Sequence, residues 1–100
     1  MEIGRVVGQV VATVKQLGLH GRTLLIVVPV DMDDVSRDRP AEHSYVAADY
    51  VGAGLGEVVL VAKGSAARVE GDTSAVPTDA AVVGIVDSVT ISNETVFRKR

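Results

Sequence analysis

The sequence contains no cysteine, so it can form neither a disulfide framework nor a thiolate zinc site. Aromatic residues are scarce: Tyr45, Tyr50 and Phe97 are the full set. No apolar run approaches the roughly 20 residues needed to cross a bilayer. The amino terminus has no basic segment before an apolar core, as a signal peptide would require. These absences predict a soluble, cytosolic protein with no membrane partner.

What the sequence does contain is valine and alanine, which make up most of a hydrophobic fraction of 47%. Valine is stiff at χ1 and packs well on a pleated surface, so this composition favours β structure. A chain of 100 residues is expected to form one domain, here 1–100. The net charge of −3 gives no support for binding nucleic acid or anionic lipid.

Five segments have the length and apolar content of strands: 3–14, 23–30, 44–50, 57–63 and 88–97. Gly4 and Gly8 in the first segment predict a bend or bulge, which lets a sheet curl. Residues 78–87 are ambiguous: we predict a short helix capped by Thr78 or Asp79, with a strand from Val82 as the alternative. The expected fold is all-β, a small five-stranded OB-like β-barrel with one short helix.

The polar segment 31–43 is charged and aperiodic, which predicts an exposed loop. Asp31, Asp33 and Glu42 occupy the first, third and twelfth positions of a calcium loop, but Ser36 stands where such a loop requires glycine. We therefore predict no metal site. The basic tail at 95–100 belongs to no motif that we can place.

The stretch "VGAGLGE" at 51–57 invites a nucleotide-binding interpretation, which fails on two counts. Gly52 and Gly54 fit the dinucleotide fingerprint, but Glu57 stands where its last glycine belongs. A valine-rich strand follows the loop, whereas phosphate binding needs a helix amino terminus. No cofactor is predicted. Two interpretations stay open: a turn whose glycines supply positive φ, or a stretch around Ala53 bare enough for another backbone to approach.

Neither catalysis nor nucleic-acid binding has a convincing motif. Ser65 lies in "GSAAR", outside a nucleophile elbow, and no general base is identifiable, so the protein is not expected to be an enzyme. The OB-like architecture leaves one alternative, a single-stranded nucleic-acid-binding module with aromatic stacking platforms. Three aromatics and scattered basic residues, apart from 98–100, argue against it.

Four segments, in this order, resemble a known family: "IGRVVGQVVAT", "LLIVVPV", "VAADYVGAGLGEVVLVAKGSAAR" and "PTDAAVVGIVDSV". The chain resembles the pentameric vertex proteins of bacterial microcompartments, the EutN/CcmL family, over residues 1 to about 91. The segment 46–68 is the most specific. The resemblance implies an OB-like barrel whose homopentamer caps the five-fold vertices of a polyhedral shell and abuts hexameric shell proteins, in the cytoplasm. The number five rests on the resemblance alone.

The resemblance also implies where subunits meet. The residues expected at a subunit interface or an axial opening are Gly52, Ala53, Gly54, Gly56 and Glu57. A second small-residue run begins at Gly64 and leads to Ser65 and Arg68, which are expected at the subunit interface. Arg68 could pair with a carboxylate, for which Asp49, also expected at the interface, and Asp87 are the candidates. Such a pair fixes orientation more than it adds stability.

Overall fold

A computed structural model describes residues 1–13, 23–64 and 79–99, without the side chains of residues 35 and 36. Within these ranges the chain forms eight strands and one 3-10 helix. The strands are β1 (Glu2–Val10), β2 (Leu24–Asp31), β3 (Asp34–Asp38), β4 (Tyr45–Asp49), β5 (Val58–Lys63), β6 (Ala80–Ile85), β7 (Ser88–Ile91) and β8 (Glu94–Arg98), and the 3-10 helix is Ala41–His43. None of the described helical residues forms a segment long and apolar enough to span a membrane.

Five of the strands close into a barrel. The sheet runs β1-β5-β6-β4-β2, and β1 also pairs with β2, which closes the ring of hydrogen bonds. The pairings within the barrel are antiparallel except that between β4 and β6, which is parallel. The expected all-β, five-stranded, OB-like barrel is confirmed.

Alternating residues of the barrel strands fill its interior. The largest fully buried side chains are Val6, Val27, Val59, Val61 and Val82. The register of β1 against β2 shifts between Val6 and Gly8, which confirms the predicted bulge. Gly4 also has a packing role, because a Cβ atom there would lie 2.5 Å from Cγ1 of Val27.

The short helix predicted within 78–87 is wrong where the structure describes it, because residues Ala80–Ile85 form β6. The alternative interpretation, a strand beginning at Val82, is closer to the observed strand. Ala81 and Val82 are buried, and they pair with β5 on one side and β4 on the other. Tertiary pairing overrides the local capping signal here. The fifth barrel strand is thus β6, whereas the predicted strand 88–97 is a separate hairpin of β7 and β8.

Two smaller boundaries also differ. The segment 31–43 was predicted to be a loop, but it contains β3, paired with β2, and the 3-10 helix. Its residues are nevertheless mostly exposed, as predicted. Strand β1 ends at Val10, short of the predicted end, because residues 11–13 are exposed and form no ladder.

Candidate functional site

The glycine-rich loop connects the end of β4 to the start of β5. Gly52 and Gly56 have φ values of +76° and +86°, which side chains rarely tolerate, so the loop does use glycines to turn. Gly54 has no such φ, and a Cβ atom there would meet Oε1 of Glu57 at 3.4 Å and nothing closer. Its own backbone geometry therefore does not require glycine.

The Asp49 carboxylate organises the first half of the loop. It accepts hydrogen bonds from the backbone N–H groups of Val51 at 3.0 Å, Gly52 at 3.1 Å and Ala53 at 3.1 Å. Successive backbone amides of this kind are a common binding site for anions such as phosphate. Because a carboxylate of the same chain already occupies them, the loop has no free nest for an external anion.

Glu57 organises the second half. Its Oε1 accepts a hydrogen bond from the Gly54 N–H at 2.7 Å, and its own N–H donates to the Gly54 carbonyl at 3.1 Å. Its Oε2 lies 2.9 Å from Nζ of Lys99. The hydrogen bond from the Gly54 N–H and then the interaction with Lys99 lower the pKa of Glu57, and the hydrogen bond that Lys99 donates to Glu57 raises the pKa of Lys99. The loop thus carries a carboxylate that is held ionised.

The loop is also joined to β1. The Gly56 N–H donates to the Val6 carbonyl at 2.8 Å, and the Val6 N–H donates to the Glu57 carbonyl at 3.0 Å. Nη1 of Arg5 reaches the Gly56 carbonyl at 3.3 Å, and its Nε pairs with Asp38 at 2.8 Å. These bonds fix the end of the loop against the barrel wall.

The outer surface of this loop is apolar and almost bare. Leu55 at its tip is 76% exposed, and Val51, Gly52, Gly54 and Gly56 are also exposed. A loop that is hydrogen-bonded from within and presents backbone, Val51 and Leu55 outward suits contact with another protein. Its two carboxylates, Asp49 and Glu57, already accept hydrogen bonds from the loop amides. No group of three or more His, Asp or Glu side chains in the described ranges could hold a metal ion.

Not every predicted interface residue can be placed. Ser65 and Arg68 lie outside the described residues, so the predicted pairing of Arg68 with Asp49 or Asp87 stays a prediction. The structure gives the Asp49 carboxylate other partners, the loop amides. Sequence reasoning missed Lys99, whose place beside Glu57 depends on how the carboxyl-terminal hairpin folds back.

The family model described as "Ethanolamine utilisation protein EutN/carboxysome" matches residues 1–87. The carboxysome shell vertex protein CcmL of Synechocystis sp. is 45% identical over 100 residues, covering 100% of this chain and 96% of that protein. The structure of Gloeobacter violaceus CcmL matches with a TM-score of 0.87 and 40% identity, over 99% of this chain and 98% of that one. The GrpN pentameric microcompartment shell protein from Rhodospirillum rubrum matches with a TM-score of 0.76 and 42% identity, over 93% and 100%. The chain belongs to the EutN/CcmL family.

Proposed function

We propose that this chain is a structural shell protein of a bacterial microcompartment, and that its homopentamer caps the five-fold vertices of the shell in the cytoplasm. The observation that carries the proposal is full-length similarity to a protein named as a shell vertex protein, 45% identical over 100 residues. The role is architectural: a flat hexagonal layer cannot close into a polyhedron without five-fold pieces.

A closed ring of identical subunits needs a heterologous contact, in which one face of each copy meets a different face of the next. We assign the loop between Asp49 and Glu57 to one of these faces, at the subunit contact or around the axial opening. Its support is the combination of internal hydrogen bonds at both ends with the exposed backbone of Gly52 and Gly54. Ser65 and Arg68 remain proposed members of the same contact.

The vertex position also implies neighbours. Hexameric shell proteins would surround the pentamer, and the charged segment 31–43 is one exposed surface that could meet them. The role requires neither catalysis nor a cofactor. We therefore propose a non-enzymatic protein whose partners are its own copies and the hexameric shell proteins.

The contacts of Tyr45 argue against the alternative, a single-stranded nucleic-acid-binding module. The ring of Tyr45 is covered by Nζ of Lys63, 4.2 Å from its centroid, and its hydroxyl donates to Glu2. Tyr45 is therefore not an open stacking platform of the kind that such modules use. Salt-sensitive binding of labelled oligonucleotides, measured by fluorescence anisotropy, would revive this alternative.

Native mass spectrometry tests the proposal by counting subunits. The wild-type protein should contain five copies, and a persistent monomer would contradict the vertex role. Gly54→Leu adds bulk at a position whose backbone tolerates a side chain, so it should break the ring and leave a folded barrel. Gly56→Ala, at a φ of +86°, should instead reduce the stability of the fold. Equal loss of fold in both variants would make Gly54 a turn residue only.

A further inference from the structure

The β7–β8 hairpin is a separate unit of the fold. It forms a two-stranded sheet of its own, outside the barrel sheet. Its base is closed by the Lys99 N–H, which donates to the Asp87 carbonyl at 2.7 Å. An isolated two-stranded hairpin is at best marginally stable in water, so a persistent one needs packing on another surface.

The turn of the hairpin is not one that strongly stabilises a hairpin by itself. Ser92 and Asn93 both have positive φ, 52° and 65°, as a type I′ turn demands. Asparagine tolerates this region, but serine is not among the residues that favour it, and glycine is absent from the turn. The turn sequence therefore supplies little of the stability that an independent hairpin would need.

The two faces of the hairpin differ in polarity. The register pairs Val89 with Phe97 and Ile91 with Glu94, so one face carries three apolar side chains and the carboxylate of Glu94 beside the turn. The opposite face carries the pair of Ser88 with Arg98 and the pair of two threonines. Val89 and Phe97 are half-buried, but Ile91 beside the turn is 41% exposed. The hairpin is thus amphipathic, and the chain itself covers its apolar face only in part.

An apolar groove continues this face onto the barrel. It has a volume of about 520 Å³, and its apolar lining consists of Ile3, Leu60, Ile85, Val86 and Val89. Gly84, Asp87 and Ser88 complete the lining. On the other side, the hairpin base is joined to the glycine-rich loop, because Lys99 pairs with Glu57 at 2.9 Å. The hairpin therefore lies beside the surface already assigned to a subunit contact.

We propose that the β7–β8 hairpin is a subunit arm, and that a neighbouring copy of this chain covers its Val89, Ile91 and Phe97 face. The proposal rests on the proposed pentamer. The hairpin is contiguous with the loop assigned to a subunit contact, so it extends that face of the heterologous contact, and the copy that meets the loop can also cover the hairpin. The neighbour then provides the packing that the hairpin lacks within its own chain.

Ile91→Asp tests the arm, and Val46→Asp is its matched control. Val46 is 46% exposed on β4, so both changes put a carboxylate on a partly exposed apolar position. Position 91 also faces Glu94 across the hairpin, so the uncharged cysteine variants below separate repulsion within one chain from loss of the subunit contact. Native mass spectrometry across a dilution series should show that Ile91→Asp raises the protein concentration at half-dissociation by about tenfold or more. Val46→Asp should assemble like wild type. If the wild type is pentameric and Ile91→Asp assembles equally well, the arm is overturned while the vertex role stands; a monomeric wild type overturns the vertex role itself.

Cysteine labelling keeps the test valid if Ile91→Asp fails to fold. The chain contains no cysteine, so Ile91→Cys introduces a single thiol. In the assembled ring this thiol should react with a maleimide about tenfold or more slowly than in the urea-unfolded chain, because the neighbour covers it. Val46→Cys should lose much less reactivity on assembly. Equal reactivity of Ile91→Cys in the ring and in the unfolded chain would overturn the proposal.

Discussion

Nζ of Lys99 lies 2.9 Å from Oε2 of Glu57, and the other carboxylate oxygen of Glu57 accepts the Gly54 N–H. A basic residue at the end of the chain therefore supports a loop that lies in the middle of the sequence. We call this chain of contacts, Lys99 to Glu57 to Gly54, the loop brace.

Removing the charge of Lys99 should affect assembly more than folding. An exposed ion pair contributes little to the stability of a barrel, so Lys99→Gln should leave the thermal unfolding of the separated subunits close to that of wild type. The variant should weaken the ring, because Glu57 would accept the Gly54 N–H without the ammonium of Lys99 to hold its carboxylate in place. Light scattering across a dilution series measures this effect. Lys99→Arg keeps the charge and should assemble normally. A Lys99→Gln variant that assembles as well as wild type would show that the brace does not support the ring.

The loop brace should be insensitive to pH over the neutral range. The pKa of Glu57 is lowered from its ordinary value of 4.5, mainly by the hydrogen bond from Gly54. The stabilisation that the ionised carboxylate contributes is therefore complete above pH 4.5 and is lost as pH falls through the lowered pKa. The pKa of Lys99 is raised from 10.5, mainly by the hydrogen bond that it donates to Glu57. The stabilisation that the charged ammonium contributes is therefore complete below pH 10.5 and is lost as pH rises through the raised pKa.

The Gly54 amide proton reports on this window by NMR. Its chemical shift should stay constant between the two ordinary pKa values and move only in more acidic or more alkaline solution. Glu57→Gln should abolish the acidic transition. A transition near neutral pH that disappears in Glu57→Gln would contradict the assigned contacts.

Local patterns predicted the parts of the barrel that are decided locally. The apolar runs of β2 and β5 are rich in β-branched residues and bounded by turns, so both were correctly predicted to be strands. Strand β6 was not, because its two alanines and the preceding cap residues also suit a helix, and only pairing with β4 and β5 selects a strand. The hairpin was missed because Ser92 and Asn93 lack the glycine that usually marks such a turn.

The residues of the candidate site were likewise predictable only where they lie close together in the sequence. Asp49 and Glu57 were identified because they flank the glycines in sequence, although their role as acceptors for the loop amides emerges only from the folded loop. Lys99 could not be identified, because its contact with Glu57 requires the β7–β8 hairpin to turn back toward β1. Contacts of this kind depend on topology, which a single sequence determines only through the whole fold.

Asp49→Ala should destabilise the protein by removing the acceptor of three loop amides. Hydrogen bonds to a charged group are stronger than average, but water can replace part of them at a half-buried site, so we expect a loss of about 1–2 kcal/mol. Urea unfolding at a fixed protein concentration measures it. Asp49→Asn keeps one acceptor oxygen and should recover part of the loss. An alanine variant as stable as wild type would mean that water fully replaces the carboxylate.

Gly4→Ala should destabilise the barrel by overpacking, because its Cβ would lie 2.5 Å from Cγ1 of Val27 inside a closed core. Such strain costs about 1–3 kcal/mol, and Val27→Ala alone costs about 2 kcal/mol through the cavity it leaves. The double variant should lose less than the sum, since alanine at position 27 removes the clashing methyl group, and urea unfolding of the four proteins gives the coupling. Gly8→Ala is the control: its nearest neighbour, the terminal Cδ1 of Ile26 at 3.2 Å, can move aside. Strict additivity at positions 4 and 27 would mean that the barrel relaxes around the new methyl group at position 4 without help from Val27.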